Sequence, residues 1–126
     1  MPSRKPKPEP DPASFLPLTP VAFEVMLSLA PGSVHGYAIL QDIEERTDGR
    51  TSLHAGTLYR AIARLVEGGL VEELDERPDP ALDDARRRYY ALTSLGRRVA
   101  AAETERLAER VATARSRRLT GRPRPV

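Results

Sequence analysis

Apolar residues recur with a helical period in three early segments, then as two short strands, then helically again towards the C-terminus. Ala22, Val25, Met26 and Leu29 fall at i, i+3, i+4 and i+7, the spacing of one helix face. Thr19 followed by Pro20 marks the start of that helix: a hydroxyl able to cap free N–H groups, then a residue that lacks an N–H. Pro31-Gly32 stops it. A second helix is predicted over about 35–47. Ile39 and Ile43 form its apolar stripe with Leu40 and Tyr37 beside them, and Gln41, Asp42, Glu44, Glu45 and Arg46 supply its wet side. Asp48-Gly49 is the stop and turn. A third helix over about 55–67 buries Leu58, Ile62, Leu65 and Val66, and presents Thr57, Arg60 and Arg64 on another face. Gly68-Gly69 ends it, one of the two supplying a left-handed residue.

Strands are predicted over 70–74 and 88–92, the second rich in aromatic residues. The loop between them, about 77–87, is longer than a tight hairpin turn. Thr93 or Ser94 then caps a long helix reaching about residue 119, which carries Leu95, Val99, Leu107 and Val111 among many alanines. The order predicts a mainly α fold with a small β-hairpin: a winged helix-turn-helix plus a long C-terminal dimerisation helix. Pro2, Pro6, Pro8, Pro10, Pro12 and Pro17 crowd the start, so residues 1–17 are expected to form a disordered arm. The expected division is that arm, a winged-helix domain over 18–92, a dimerisation helix over 93–119 and a disordered basic tail over 120–126.

With 126 residues the chain holds one domain with tails. Its net charge is only +2, but the charge is unevenly distributed. Arg86, Arg87 and Arg88 are consecutive, and Arg115, Arg117, Arg118, Arg122 and Arg124 follow with no acid among them. Acids dominate the stretch from Glu72 to Asp84. The absence of cysteine excludes disulfides, thiolate metal sites and thiol nucleophiles. No apolar run approaches the ~20 residues that span a bilayer, and no apolar core of a signal peptide opens the chain, so a cytoplasmic location is expected. Catalytic chemistry finds no support. His35 and His54 sit at separate element starts, no phosphate-binding glycine pattern occurs, and the neighbours Glu72 and Glu73 point to opposite faces of a strand. Neither a cofactor nor a metal is expected.

Four stretches resemble the PadR family of bacterial transcriptional regulators. They are His35-Gly36-Tyr37-Ala38-Ile39-Leu40; Gly56-Thr57-Leu58-Tyr59-Arg60-Ala61-Ile62; Arg64-Leu65-Val66-Glu67-Gly68-Gly69-Leu70-Val71; and Arg88-Tyr89-Tyr90-Ala91-Leu92-Thr93-Ser94-Leu95-Gly96-Arg97. The resemblance runs from about residue 18 to about residue 102, and its specificity lies in all four occurring in order. It implies a winged-helix DNA-binding domain, C-terminal helices that form a two-fold dimer, a repressor role, and release from DNA by a small molecule. The single helix after residue 93 is similar to the short C-terminal branch of the family.

The third helix supplies the candidates for reading DNA, because a helix fits the major groove and its N-terminal half meets base edges. Arg60 is suited to two parallel hydrogen bonds to guanine, and Thr57 to a base or a phosphate. His54, just before the helix, either donates to a phosphate or is a turn residue. Arg64 reaches backbone phosphate or is a solvated charge. Tyr59 lends its hydroxyl to a phosphate or packs against the wing. Arg86 and Arg87, where the wing returns, attract phosphates or neutralise the acids before them. Asp79, Asp83 and Asp84 would repel DNA, so the wing tip is expected to stay outside the groove.

One short recognition helix selects a genomic site poorly, and a two-fold dimer reads a palindrome. Ala100, Leu107 and Ala114 recur every seven residues with Val111 on a neighbouring flank, so they are the expected dimer interface, with part of the first helix joining it. Leu95 and Val99 are expected to pack on the first helix. If a small-molecule effector exists, its expected place is between the two winged domains, against the dimer helices. The remaining alternative is a winged helix that binds a protein partner, or an anti-regulator, and does not bind DNA.

Overall fold

A computed structural model describes residues 9–74 and 88–119. Helix α1, Pro20–Leu29, starts where Thr19 accepts a hydrogen bond from the Ala22 N–H at 3.1 Å. It buries Val25, Met26 and Leu29 completely. A two-residue strand β1, Val34–His35, leads into α2, Gly36–Arg46. The imidazole of His35 caps α2, its Nδ1 accepting from the Ala38 N–H at 3.1 Å. Asp48 and Gly49, both at positive φ (51° and 75°), turn the chain away from α2. Helix α3, Ala55–Glu67, buries Leu58, Ile62 and Leu65. Gly69, at φ 77°, is the left-handed residue that ends it, and the Leu70 N–H reaches back to the Leu65 carbonyl at 2.9 Å.

Strands β2, Val71–Leu74, and β3, Tyr89–Leu92, pair antiparallel, with Val71 opposite Leu92 and Leu74 opposite Tyr89. Strand β1 pairs on the other edge of β3, so the sheet order is β1-β3-β2. Helix α4, Ser94–Ser116, follows at once. Thr93 makes the corner rigid: its hydroxyl accepts from the Gly96 N–H at 2.9 Å and donates to the Gly69 carbonyl at 2.6 Å. A Cβ on Gly96 would stand 2.0 Å from the Leu70 carbonyl oxygen, so α4 crosses the start of β2 at a distance only glycine allows. The three N-terminal helices, the sheet and the first turns of α4 enclose one core that includes Leu29, Ile39, Ile43, Leu58, Ile62 and Val99. Each such side chain contributes about 1.5–3 kcal/mol by leaving water. This is a winged helix-turn-helix, mainly α with a small sheet, extended by a long C-terminal helix.

Two polar ties complete the packing. Between α1 and α2, Ser28 donates to Asp42 at 2.7 Å, and Arg46 bonds Asp42 at 2.8 Å and Glu24 at 2.9 Å. The Arg46 hydrogen bond, helped by that of Ser28 and opposed by burial, holds the Asp42 carboxyl below its ordinary range. On α4, Glu103 is 1% exposed and accepts the Leu18 N–H at 2.7 Å. Arg106 also bonds it, and this bond is the main reason its carboxyl lies below the usual glutamate range.

The structure departs from the sequence expectations at several points. The expected disordered arm is ordered over its described part: Pro12–Phe15 is a turn of 3-10 helix, capped by Asp11 and packed against α4. Phe15, Leu16 and Leu18 lie against the core, and that apolar anchorage offsets the cost of ordering a proline-rich segment. Val66 is 39% exposed, because the face defined by Leu58, Ile62 and Leu65 turns it to the edge. Tyr37, 49% exposed, lies two positions before Ile39 and hence about 200° around α2 from the buried stripe. The expected loop over 77–87 with its acidic tip, and the basic tail over 120–126, lie outside the described residues.

Candidate nucleic-acid interface

Helix α3 stands on the core by Leu58, Ile62 and Leu65 and turns its remaining faces outward. Arg60 and Arg64 are exposed on it and Thr57 is half-buried; the Arg60 guanidinium lies 3.5 Å from the Thr57 hydroxyl. Among the described residues neither arginine forms an ion pair with a carboxylate; the pairs present are Arg46 with Glu24 and Asp42, Arg88 with Glu73, Arg98 with Glu9, and Arg106 with Glu103. The two guanidiniums are one turn apart and open to solvent, an arrangement that can donate to base edges or phosphate oxygens. His54 occupies the N-cap position of α3, but its side chain makes no capping hydrogen bond, and it is exposed. The first N–H groups of the helix, which have no partner within it, follow directly after this position.

Tyr59 sits apart from this surface. Its ring lies against Gly36 at the start of α2, where an added Cβ would meet its hydroxyl at 2.6 Å. This contact packs the Tyr59 ring on the start of α2, and its charge is also felt by Tyr90 of β3. Arg86 and Arg87 lie outside the described residues. Arg88, the neighbour that is described, pairs with Glu73 across the hairpin at 3.4 Å.

The expected dimer residues divide in two. On α4, Leu107 (36% exposed) and Val111 (46%) leave apolar surface in water, and Ala114 is half-buried. Ala100 packs against the core of its own chain. Leu27 of α1, 39% exposed, lies near Leu107, and with Phe23 these residues line a groove of about 350 Å³ that also contains Glu103 and Arg106. The sequence reading missed Glu103. The signal was present, since Glu103 continues the i, i+4 row of Leu95 and Val99, and an acid on an apolar row requires a partner. Among the described residues no helix is long and apolar enough to cross a membrane.

Residues 25–102 match the family model described as the transcriptional regulator PadR-like family. An uncharacterized 37.1 kDa protein in a Streptomyces fradiae transposon is 38% identical over 84 residues, 67% of this chain. The chain spans 22% of the length of that relative. A transcriptional regulator from Clostridium thermocellum is 27% identical with a TM-score of 0.61, covering 74% of this chain and 86% of its own. The RosR structure from H. salinarum is 25% identical, TM-score 0.60, covering 83% and 96%. A PadR family transcription regulator from Clostridium difficile, 20% identical with a TM-score of 0.63 over 76% and 95%, shares the fold.

Proposed function

Since the chain belongs to the PadR-like family of transcriptional regulators, we propose that it binds a palindromic DNA operator as a two-fold dimer, represses transcription there, and is released by a small molecule. The observation that carries this reading is the pair Arg60 and Arg64, exposed on the outer face of α3 with no described carboxylate to neutralise them. In this reading Arg60 takes base edges, and Thr57, His54 and Arg64 take phosphates. Arg86 and Arg87 add phosphate contacts from the returning wing. Dimerisation through Leu107, Val111 and Ala114 of α4, joined by Phe23 and Leu27 of α1, covers apolar surface that the single chain leaves in water. The division of labour is a DNA-binding domain over 18–92 and a dimerisation helix over 93–119, acting in the cytoplasm without catalysis.

Selection of bound duplexes from a random pool tests the reading, because it yields operator and symmetry together. A palindromic motif is expected, and Arg60→Ala should weaken binding to it by about 1–3 kcal/mol while relaxing preference at one position per half-site. A folded dimer that enriches no duplex would overturn the proposal and favour a protein partner.

A further inference from the structure

We propose that the C-terminal end of α4 is a second nucleic-acid site, one that grips the phosphate backbone of double-stranded DNA without reading its sequence. Residues 110–126 carry six arginines and no acid. Arg110, Arg115, Arg117 and Arg118 are described, and all four are exposed. Among the described residues none of the four forms an ion pair with a carboxylate. The acids of α4, Glu103, Glu105 and Glu109, all precede this stretch. The field of a helix end favours cations, but only within the last turn, and Arg110 lies further back.

The geometry selects the class of ligand. The Leu119 N–H reaches back to the Ala114 carbonyl at 2.8 Å and the Arg118 N–H to the Arg115 carbonyl at 3.1 Å. These bonds close the helix, with Arg118 itself in the left-handed position at φ 60°. Arg115, Arg117 and Arg118 therefore leave from a held backbone, and a site already shaped loses less on binding than one that has to be ordered. Arg110 and Arg117, seven residues apart, lie on one face of α4 and are separated by about 10.5 Å along its axis. That is about the rise of three phosphates on one DNA strand. Several guanidiniums spread over this length match a polyanion, not a single small anion. Residues 93–126 contain no Phe, Tyr, Trp or His, so an unpaired base finds no ring to stack on and single strands are disfavoured. Of double-stranded polyanions, DNA is the one a transcriptional regulator meets. The site calls for charge alone, so it does not depend on α3 reading an operator.

Fluorescence anisotropy of a labelled duplex of arbitrary sequence, titrated with the full chain at several salt concentrations, tests the site. Arg115→Gln, Arg117→Gln and Arg118→Gln together should lower the salt slope of log affinity by about 2.7, so that affinity falls about 40-fold less between about 50 and 200 mM salt. Arg115→Lys, Arg117→Lys and Arg118→Lys together should keep the slope, because a backbone phosphate accepts a point charge. Circular dichroism reports that α4 is retained in both variants. An unchanged slope in the glutamine variant would overturn the site and leave an acidic protein as the partner of these arginines. An unpaired strand of equal length bound as tightly as the duplex would overturn the assignment to double-stranded DNA. The chain carrying Arg60→Ala and Arg64→Ala separates the two surfaces. It should still bind the arbitrary duplex and lose that binding when the three glutamines are added. If it loses the duplex outright while the glutamine variant alone binds like the unaltered chain, the α4 site falls and the reading of α3 stands. If the unaltered chain binds every duplex through Arg115, Arg117 and Arg118 and selects no operator, the reading of α3 falls and the α4 site stands.

Discussion

A buried carboxylate is tolerated only when hydrogen bonds replace the water it loses, and Glu103 has both the Leu18 N–H and the Arg106 guanidinium. Glu103→Ala leaves that N–H without its acceptor, so a cost of about 1–3 kcal/mol is expected in urea unfolding. The Arg106 bond sets the folded carboxyl below its ordinary value of 4.5. Its contribution is therefore fully present above that value and is lost as pH falls through the lower, folded one. Unfolding midpoints measured from pH 7 down to pH 3 should fall in the acid range, and Glu103→Gln should flatten part of that fall, with Asp42 supplying another part. Gly96 is the second residue whose chemistry is dictated by a neighbour. Gly96→Ala pushes a methyl into the Leu70 carbonyl, and overpacking of this kind costs about 1–3 kcal/mol. Gly32, with no atom within 4 Å of an added Cβ, is the control: Gly32→Ala should change stability by less than about 0.5 kcal/mol.

At the scale of elements, α3 carries the specific expectation. If Arg64 meets a phosphate, Arg64→Ala should weaken binding evenly across operator sequences and reduce the salt slope of affinity by about 1, whereas Arg60→Ala should alter sequence preference. Gel shifts at several salt concentrations distinguish the two. The helix ends were legible where each carries local chemistry: Thr19-Pro20, Asp48-Gly49, Gly68-Gly69 and Thr93 all act on neighbours within a few residues. The outer face of α3 was legible for the same reason, since Arg60 and Arg64 follow from its period. Strand β1 was not, because two residues have no period to detect. The order of the arm was hidden as well. It depends on an acceptor 85 positions away, and no local pattern around Leu18 announces Glu103.

For the whole molecule, the outer part of α4 leaves apolar surface in water, since Leu107 and Val111 are 36% and 46% exposed. In the proposed dimer, replacing both with glutamate would place like charges across the two-fold axis, so sedimentation should change from a dimer to a monomer that keeps its helical circular dichroism. Operator affinity should fall with it, because each half-site then binds alone. The corner at Thr93 gives that long helix a mechanical meaning. Its base is pinned to the Gly69 carbonyl by one hydroxyl and abuts the Leu70 carbonyl with no room for slack. A tilt of α4 about this pivot would carry the trailing end of α3 with it, like a handle fixed to a blade, so in the dimer proposed above the angle between two paired handles would set how far apart their blades are held.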